Sequence, residues 1–181
     1  LMPPGADLLV TREPGGTDLG QALRQLLLHP PGALAPGHRA ELLLYAADRA
    51  QHVQQCIEPA LQAGSWVLSD RFSGSTAAYQ GYGRGLSLEL IDQLAVIACA
   101  GLVPDLTVLL ELPLAESLRR RGHRPADRIE ASGEAFLARV VGGFAALAHQ
   151  PGWERIDASQ SIAEVSEALQ GLIHRYCGAH G

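Results

Sequence analysis

The sequence has 181 residues, of which 47% are hydrophobic and 18% charged, enough for one domain with its own core. A net charge of −5 offers no basic face for nonspecific DNA or RNA binding. No apolar run reaches the roughly 18–20 residues of a membrane span, and no basic start with an apolar core marks a secretory leader, so the cytoplasm is the expected location.

Short apolar runs alternate with helical stretches, which predicts an α/β domain with a mainly parallel sheet. The chain opens on Leu1-Met2-Pro3-Pro4 rather than an initiator Met, from which an upstream segment is expected. Asp7 to Thr11 reads as a strand closed by the Pro14-Gly15-Gly16 turn. Thr17 or Asp18 caps a helix to about Leu28, stopped by Pro30 and Pro31. A long helix is expected from Arg39 to about Ala63, apolar at Leu42, Leu43, Ala46, Ala50, Val53, Ile57 and Leu61, with Pro59 kinking or breaking it.

Ser65 to Asp70 reads as a second strand, and the glycine-rich stretch Arg71 to Gly85 as turns. Ser87 opens a helix to about Ala100. Leu106 to Leu112 is the clearest buried strand, ended by Pro113. A helix over Leu114 to Arg121 leads into a polar, arginine-rich loop from Gly122 to Glu130. A helix over Gly133 to Ala148, a short strand over Trp153 to Asp157 and a last helix over Ser161 to Tyr176 complete the chain. No repeat or linker divides it, so 1–181 is expected to form one domain. Cys56, Cys99 and Cys177 make no CxxC pair, which points to structural thiols rather than a zinc or redox motif.

Four features carry chemistry. Asp70-Arg71 ends a core strand, where a carboxylate can hold Mg²⁺ or its water shell and an arginine can grip a phosphate; a strand-end ion pair would use the same residues. Thr11-Arg12-Glu13-Pro14-Gly15-Gly16-Thr17 also follows a strand, and its glycines can expose backbone N–H groups to an anion or simply make a tight turn. Tyr45 and Arg49 lie four apart on one helical face, suited to stacking on a base and bonding its carbonyls, or to a core tyrosine beside a solvated arginine. Arg119, Arg120, Arg121, Arg124 and Arg128 form a cationic stretch of the kind phosphoryl transfer needs, or a solvated helix end.

Taken together, these are the parts of a nucleoside monophosphate kinase. Thr11 to Thr17, then Leu43-Leu44-Tyr45-Ala46-Ala47-Asp48-Arg49-Ala50-Gln51-His52, then Asp70-Arg71 with Ser75-Thr76-Ala77-Ala78-Tyr79-Gln80-Gly81 resemble bacterial thymidylate kinase. The similarity continues through Pro104-Asp105-Leu106-Thr107, Asp127-Arg128-Ile129-Glu130 and Ile156-Asp157-Ala158-Ser159.

The resemblance implies a three-layer α/β/α parallel sheet of the P-loop nucleoside monophosphate kinase type. It also implies transfer of the γ-phosphate of ATP, with Mg²⁺, to dTMP, giving dTDP. By matching position, Tyr45 stacks on thymine, Arg49 reads its carbonyl, and Gln80 reaches the base from the other side, with Ser75 in the same dTMP-binding group. Arg71 binds the dTMP phosphate, Asp70 lies near the metal and the sugar, and Arg12 and Glu13 flank the acceptor phosphate. Asp157 and Ala158 lie by the adenine. Arg121, Arg124 and Arg128 are the candidates for a catalytic lid arginine, and Arg124 also for ATP binding. A homodimer through the helices from Arg39 and Ser87 is implied as well.

The family opens with a strand and a Gly-Lys-Thr or Gly-Lys-Ser loop, and this sequence contains no lysine. The first, central strand and its loop are therefore expected to be missing, this chain alone to be unstable and inactive, and the intact protein to be a normal enzyme. The alternatives are a non-catalytic nucleotide-binding relative, or a kinase of another deoxynucleoside or nucleotide.

Overall fold

A computed structural model describes residues 7–122 and 125–180, except for the side chains of 178–180. Arg124 and the opening Leu1 to Pro4 thus lie outside the described residues. The chain forms two compact units. One comprises Asp7–Val103 with Pro125–Leu147, and the other the described parts of Pro104–Arg124 and Ala148–Gly181.

In the first unit, strand β1 (Leu8–Arg12) pairs in parallel with β2 (Trp66–Asp70), in register from Leu8 opposite Trp66 to Arg12 opposite Asp70. The period-two pattern puts Leu9, Thr11, Val67 and Ser69 on a half-buried face. Leu8, Val10 and Leu68 stand on the other, 46%, 66% and 57% exposed. Helix α1 (Asp18–Leu28) begins at Thr17, whose hydroxyl accepts the Gly20 N–H at 3.0 Å, the expected cap.

The long helix is α2 (His38–His52), continued by a π-helix (Val53–Ile57) and α3 (Glu58–Gln62). Pro59 causes no break. It sits in the first turn of α3, where its missing N–H matters least, and the wider π turn lies just upstream. Leu42, Ala46, Val53 and Ile57 are buried as expected. Leu43, Ala50 and Leu61 are exposed instead, because at 3.6 residues per turn they fall about a quarter turn round from the buried stripe.

Arg71 to Gly85, expected as turns, is largely helical: α4 (Ser73–Thr76) runs into a second π-helix (Ala77–Gly83). Gly81 and Gly83 serve close packing, whereas Gly85, at φ +77° with nothing near its missing Cβ among the described residues, turns the chain. A Cβ at Gly83 would lie 2.7 Å from Phe136 Cε2 and 2.9 Å from Val140 Cγ2. Helix α5 (Leu88–Cys99) starts at the Ser87 cap. A later helix of this unit, α7 (Glu134–Leu147), lies against the second π-helix, with the Tyr79 ring 6.2 Å from Phe136 and 5.9 Å from Phe144.

In the second unit, β3 (Thr107–Glu111) pairs in parallel with β4 (Trp153–Asp157), accompanied by α6 (Leu114–Arg121) and α8 (Ile162–His180). All strand pairing is parallel, as expected, but among the described residues it forms two separate two-stranded ladders rather than one sheet. No helix among the described residues is long and apolar enough to cross a membrane.

Candidate active site

The end of β1 is tied into α2 by a buried polar network. Glu13 is 4% exposed; its Oε2 accepts Arg49 Nε at 2.8 Å and its Oε1 faces His52 Nδ1 at 3.0 Å. The other ring nitrogen of His52 meets the Thr11 hydroxyl at 2.7 Å. Arg49 Nη2 donates to Thr76 Oγ1 at 2.9 Å, and its guanidinium lies over the Phe72 ring, 5.4 Å from the centroid. One turn of α2 presents Asp48 and Arg49 to the β1 loop, and two buried helical partners hold Glu13 where a water-exposed loop could not. The Glu13-Pro14 peptide is cis. Gly15 follows at φ +107°, which favours glycine, and its N–H donates to Asp48 Oδ1 at 3.0 Å. Burial of Asp48, with Glu13 nearby, pushes its carboxyl up to about 6 despite that bond.

Above this network opens a cleft of about 130 Å³. Its lining brings together Glu13, Tyr45, Arg49, Arg71, Ser75 and Gln80, six of the residues singled out from sequence. They come from the β1 loop, α2, the end of β2 and the α4–π segment. Burial raises the Tyr45 hydroxyl above its ordinary range, and the Glu41 charge adds to this, so the ring enters the cleft as a neutral phenol. Arg71 adopts φ 73°, rare for a side-chain-bearing residue, and its guanidinium lies 5.2 Å from the Tyr79 ring centroid. The cleft therefore offers aromatic faces, guanidinium donors and a carboxamide within one apolar-walled recess. That set suits a planar base joined to an anion.

Behind the cleft stands a second buried hub that sequence reasoning missed. Glu41, 0% exposed, accepts Gln80 Nε2 at 2.8 Å, Arg84 at 3.2 Å through both oxygens, and Arg128 Nη2 at 2.6 Å. Burial would raise its carboxyl, but the bonds from Gln80, Arg84 and Arg128 together bring it below the usual range. Arg128 also donates to Leu27 O at 2.7 Å, and its own N–H to Leu28 O at 3.1 Å. These bonds set Asp127, Ile129 and Glu130 on the cleft rim.

The remaining candidates lie elsewhere. Arg12 and Asp70 are register partners at the ends of β1 and β2, both exposed and outside the cleft lining. Arg121 ends α6 in the other unit, half-buried. In that unit the Ser159 hydroxyl and, at 2.8 Å, the Ser159 N–H lower the Asp157 carboxyl, and Ala158 N–H donates to Glu111 O at 2.8 Å. Arg120 braces the same turn through Ala158 O at 2.8 Å and Ser159 O at 3.0 Å.

Besides Glu41, sequence reasoning gave no role to Asp48, His52, Phe72 or Arg84, and it offered Arg120 only as one of the cationic stretch, not as a brace for the Ala158 turn. A charged or polar residue facing inward from an otherwise apolar stripe was the available signal for Glu41 and His52, which share the α2 core stripe with Leu42 and Ala46. Among the described residues no group of three or more His, Cys, Asp or Glu side chains could hold a metal ion.

A family profile described as thymidylate kinase matches residues 3–169. The thymidylate kinase of Synechococcus sp. (strain RCC307) is 64% identical over 173 residues, covering 96% of this chain and 82% of that protein. That of Prochlorococcus marinus (strain MIT 9313) is 63% identical over 178 residues, covering 98% and 82%. That of Synechococcus sp. (strain CC9605) is 58% identical over 176 residues, covering 97% and 84%.

Proposed function

The chain belongs to the thymidylate kinase family and is a dTMP kinase, a phosphotransferase, and we propose that the cleft between α2 and the α4–π segment is where it holds dTMP. The single observation that carries this placing is the convergence of Tyr45, Arg49, Arg71, Ser75 and Gln80 on one recess from separate stretches of chain.

In this reading the Tyr45 ring stacks on thymine, Arg49 donates to a base carbonyl, and Gln80 meets the base edge. Arg49 Nη1 has no hydrogen bond among the described residues, so one donor remains for the ligand while Nε and Nη2 hold the guanidinium still. Arg71 and Ser75 take the 5′-phosphate. Glu13, neutralised by Arg49 and flanked by His52, fixes the loop beside the acceptor and leaves Arg12 to meet phosphate oxygens.

ATP is the proposed phosphoryl donor, with Asp157 and Ala158 beside the adenine and Arg121 or Arg124 supplying charge to the transferring group, since Arg128 is committed to Glu41 and Leu27 O. Mg²⁺ fits this set in the usual way for that ion, through a carboxylate and substrate phosphates rather than a protein cage. Asp70, exposed at the end of β2 with no side-chain hydrogen bond among the described residues, is the carboxylate available, directly or through water. When bound, the ion would screen the phosphate charge as the acceptor oxygen approaches. What the protein residues do is align the two phosphates and hold donors around the transferring oxygens.

The same reading makes the enzyme a cytoplasmic homodimer. Leu43, Ala47, Ala50 and Gln54 form an exposed stripe at helical spacing on α2 and the π-helix that follows it, and Leu90, Val96 and Ile97 are 48%, 66% and 76% exposed on α5. Sedimentation of the Ile97→Glu variant tests this: a protein already monomeric with Ile97 in place removes the dimer.

The test of the site is ATP-dependent dTMP phosphorylation by the Arg71→Ala variant of the intact enzyme. Loss of a phosphate clamp should lower kcat/KM by roughly 100-fold or more. Unchanged turnover would remove Arg71 from the acceptor phosphate.

A further inference from the structure

Gln80 is 1% exposed, and its Nε2 is 2.8 Å from Glu41 Oε1. An ionised carboxylate only accepts hydrogen bonds, so the Gln80 atom facing it must be the NH₂ group. Arg84 and Arg128 keep Glu41 ionised in its buried position. The planar amide then turns Oε1 away from Glu41. Gln80 Oε1 has no hydrogen-bond partner among the described residues, yet no side-chain polar atom sealed from solvent there lacks one. Oε1 therefore opens onto the cleft that Gln80 lines.

A free glutamine amide can present either its oxygen or its NH₂ to a ligand, and so suits a ring N–H and a bare ring nitrogen equally well. Here the choice has been removed. From this geometry we infer that Glu41 is a positioning residue for acceptor specificity: it locks the Gln80 carbonyl toward the cleft, favouring a pyrimidine with an imide N–H over one with an unprotonated ring nitrogen. The inference rests on the placing of the dTMP base in this cleft. It adds the reason a cytosine-type base is refused, since two acceptors would face each other with no proton between them. Arg84, stacked 4.3 Å from the Phe136 ring centroid, and Arg128, pinned to the end of α1, hold the Glu41 carboxylate from the far side. The amide is thus fixed by a rigid hub and not by a mobile surface pair.

The test compares kcat and KM for dTMP and dCMP in the intact enzyme and in its Glu41→Gln and Gln80→Met variants, each checked for folding by its unfolding transition. Both variants should lower the dTMP-over-dCMP preference in kcat/KM by roughly tenfold or more, the scale set by an unpaired polar group in a binding site. The change should lie in KM for the acceptor, with KM for ATP unaltered. In Glu41→Gln, KM for dCMP should also fall, because the Gln80 amide is free to turn.

A folded Glu41→Gln enzyme with the original preference, alongside a Gln80→Met enzyme that has lost it, overturns the role of Glu41 alone. An unchanged preference in Gln80→Met overturns the placing of the base beside Gln80, and the inference with it. If Glu41→Gln does not fold, the Gln80 side-chain amide of the unsubstituted protein decides by ¹⁵N NMR without ligand. Slowly exchanging NH₂ protons are expected, and a freely exchanging pair overturns the lock.

Discussion

Arg49 Nε lies 2.8 Å from Glu13 Oε2, with both side chains almost closed to solvent. A buried pair of this kind is costly to break from one side, because the remaining charge has no water to turn to. Arg49→Ala should destabilise the fold by roughly 3 kcal/mol, His52 being the one side-chain partner left for Glu13 among the described residues. It should also weaken dTMP binding by about 1–3 kcal/mol through the unpaired base carbonyl. Urea unfolding and calorimetric dTMP titration separate the two. Unaltered affinity in a folded variant takes Arg49 away from the base.

Asp48 gives the enzyme a stability slope in pH. Its carboxyl ionises near 3.8 in the unfolded chain and near 6 in the fold, so the native state binds the extra proton between those values. Its contribution is therefore most favourable below about pH 4. It declines as pH rises to about 6 and is level above, a difference of roughly 2–3 kcal/mol. Asp48→Asn keeps the acceptor for Gly15 N–H and removes the charge. The variant should match the parent near pH 4 and exceed it at pH 7–8, read from urea midpoints across pH. A constant difference between the two proteins over that range would exclude the raised carboxyl.

Two adjacent glycines of α7 should respond oppositely to alanine. A Cβ at Gly142 meets nothing within 4 Å among the described residues, so Gly142→Ala should add up to about 1 kcal/mol of helix propensity. At Gly143 the new methyl would stand 2.7 Å from Tyr82 Cβ and Cγ, atoms fixed to the backbone of the π-helix. Gly143→Ala should cost about 1–3 kcal/mol. Thermal melts of the pair check this, and melting shifts of the same sign would contradict the packing described.

Arg120 braces the turn at Ala158 and Ser159. Arg120→Ala removes two bonds to partly exposed carbonyls, together worth about 1 kcal/mol. If that turn meets adenine, KM for ATP should rise roughly fivefold while KM for dTMP stays put. A shift in the dTMP constant alone would place the turn's function elsewhere.

Much of this protein is decided by its sequence. Hydrophobic periodicity placed β1 to β4 and, outside the stretch from Arg71 to Gly85, the longer helices to within a few residues. The Thr17 and Ser87 hydroxyls announced their helix starts, because capping is a local act. The motif residues Glu13, Tyr45, Arg49, Arg71, Ser75 and Gln80 were legible as a group from their resemblance to a family. Tertiary structure alone decided that they meet in one cleft. Only tertiary structure, too, made helix out of the glycine-rich stretch after Asp70, where close approach to Phe136, Val140 and Leu88 outweighs glycine's poor propensity. Arg128 read only as one of the arginines of a cationic loop because its partner, Glu41, lies 87 residues away in the chain. Charge pairing over such distances leaves no periodic trace: it depends on which faces of the helices pack together, and that is settled by the burial of the whole chain at once.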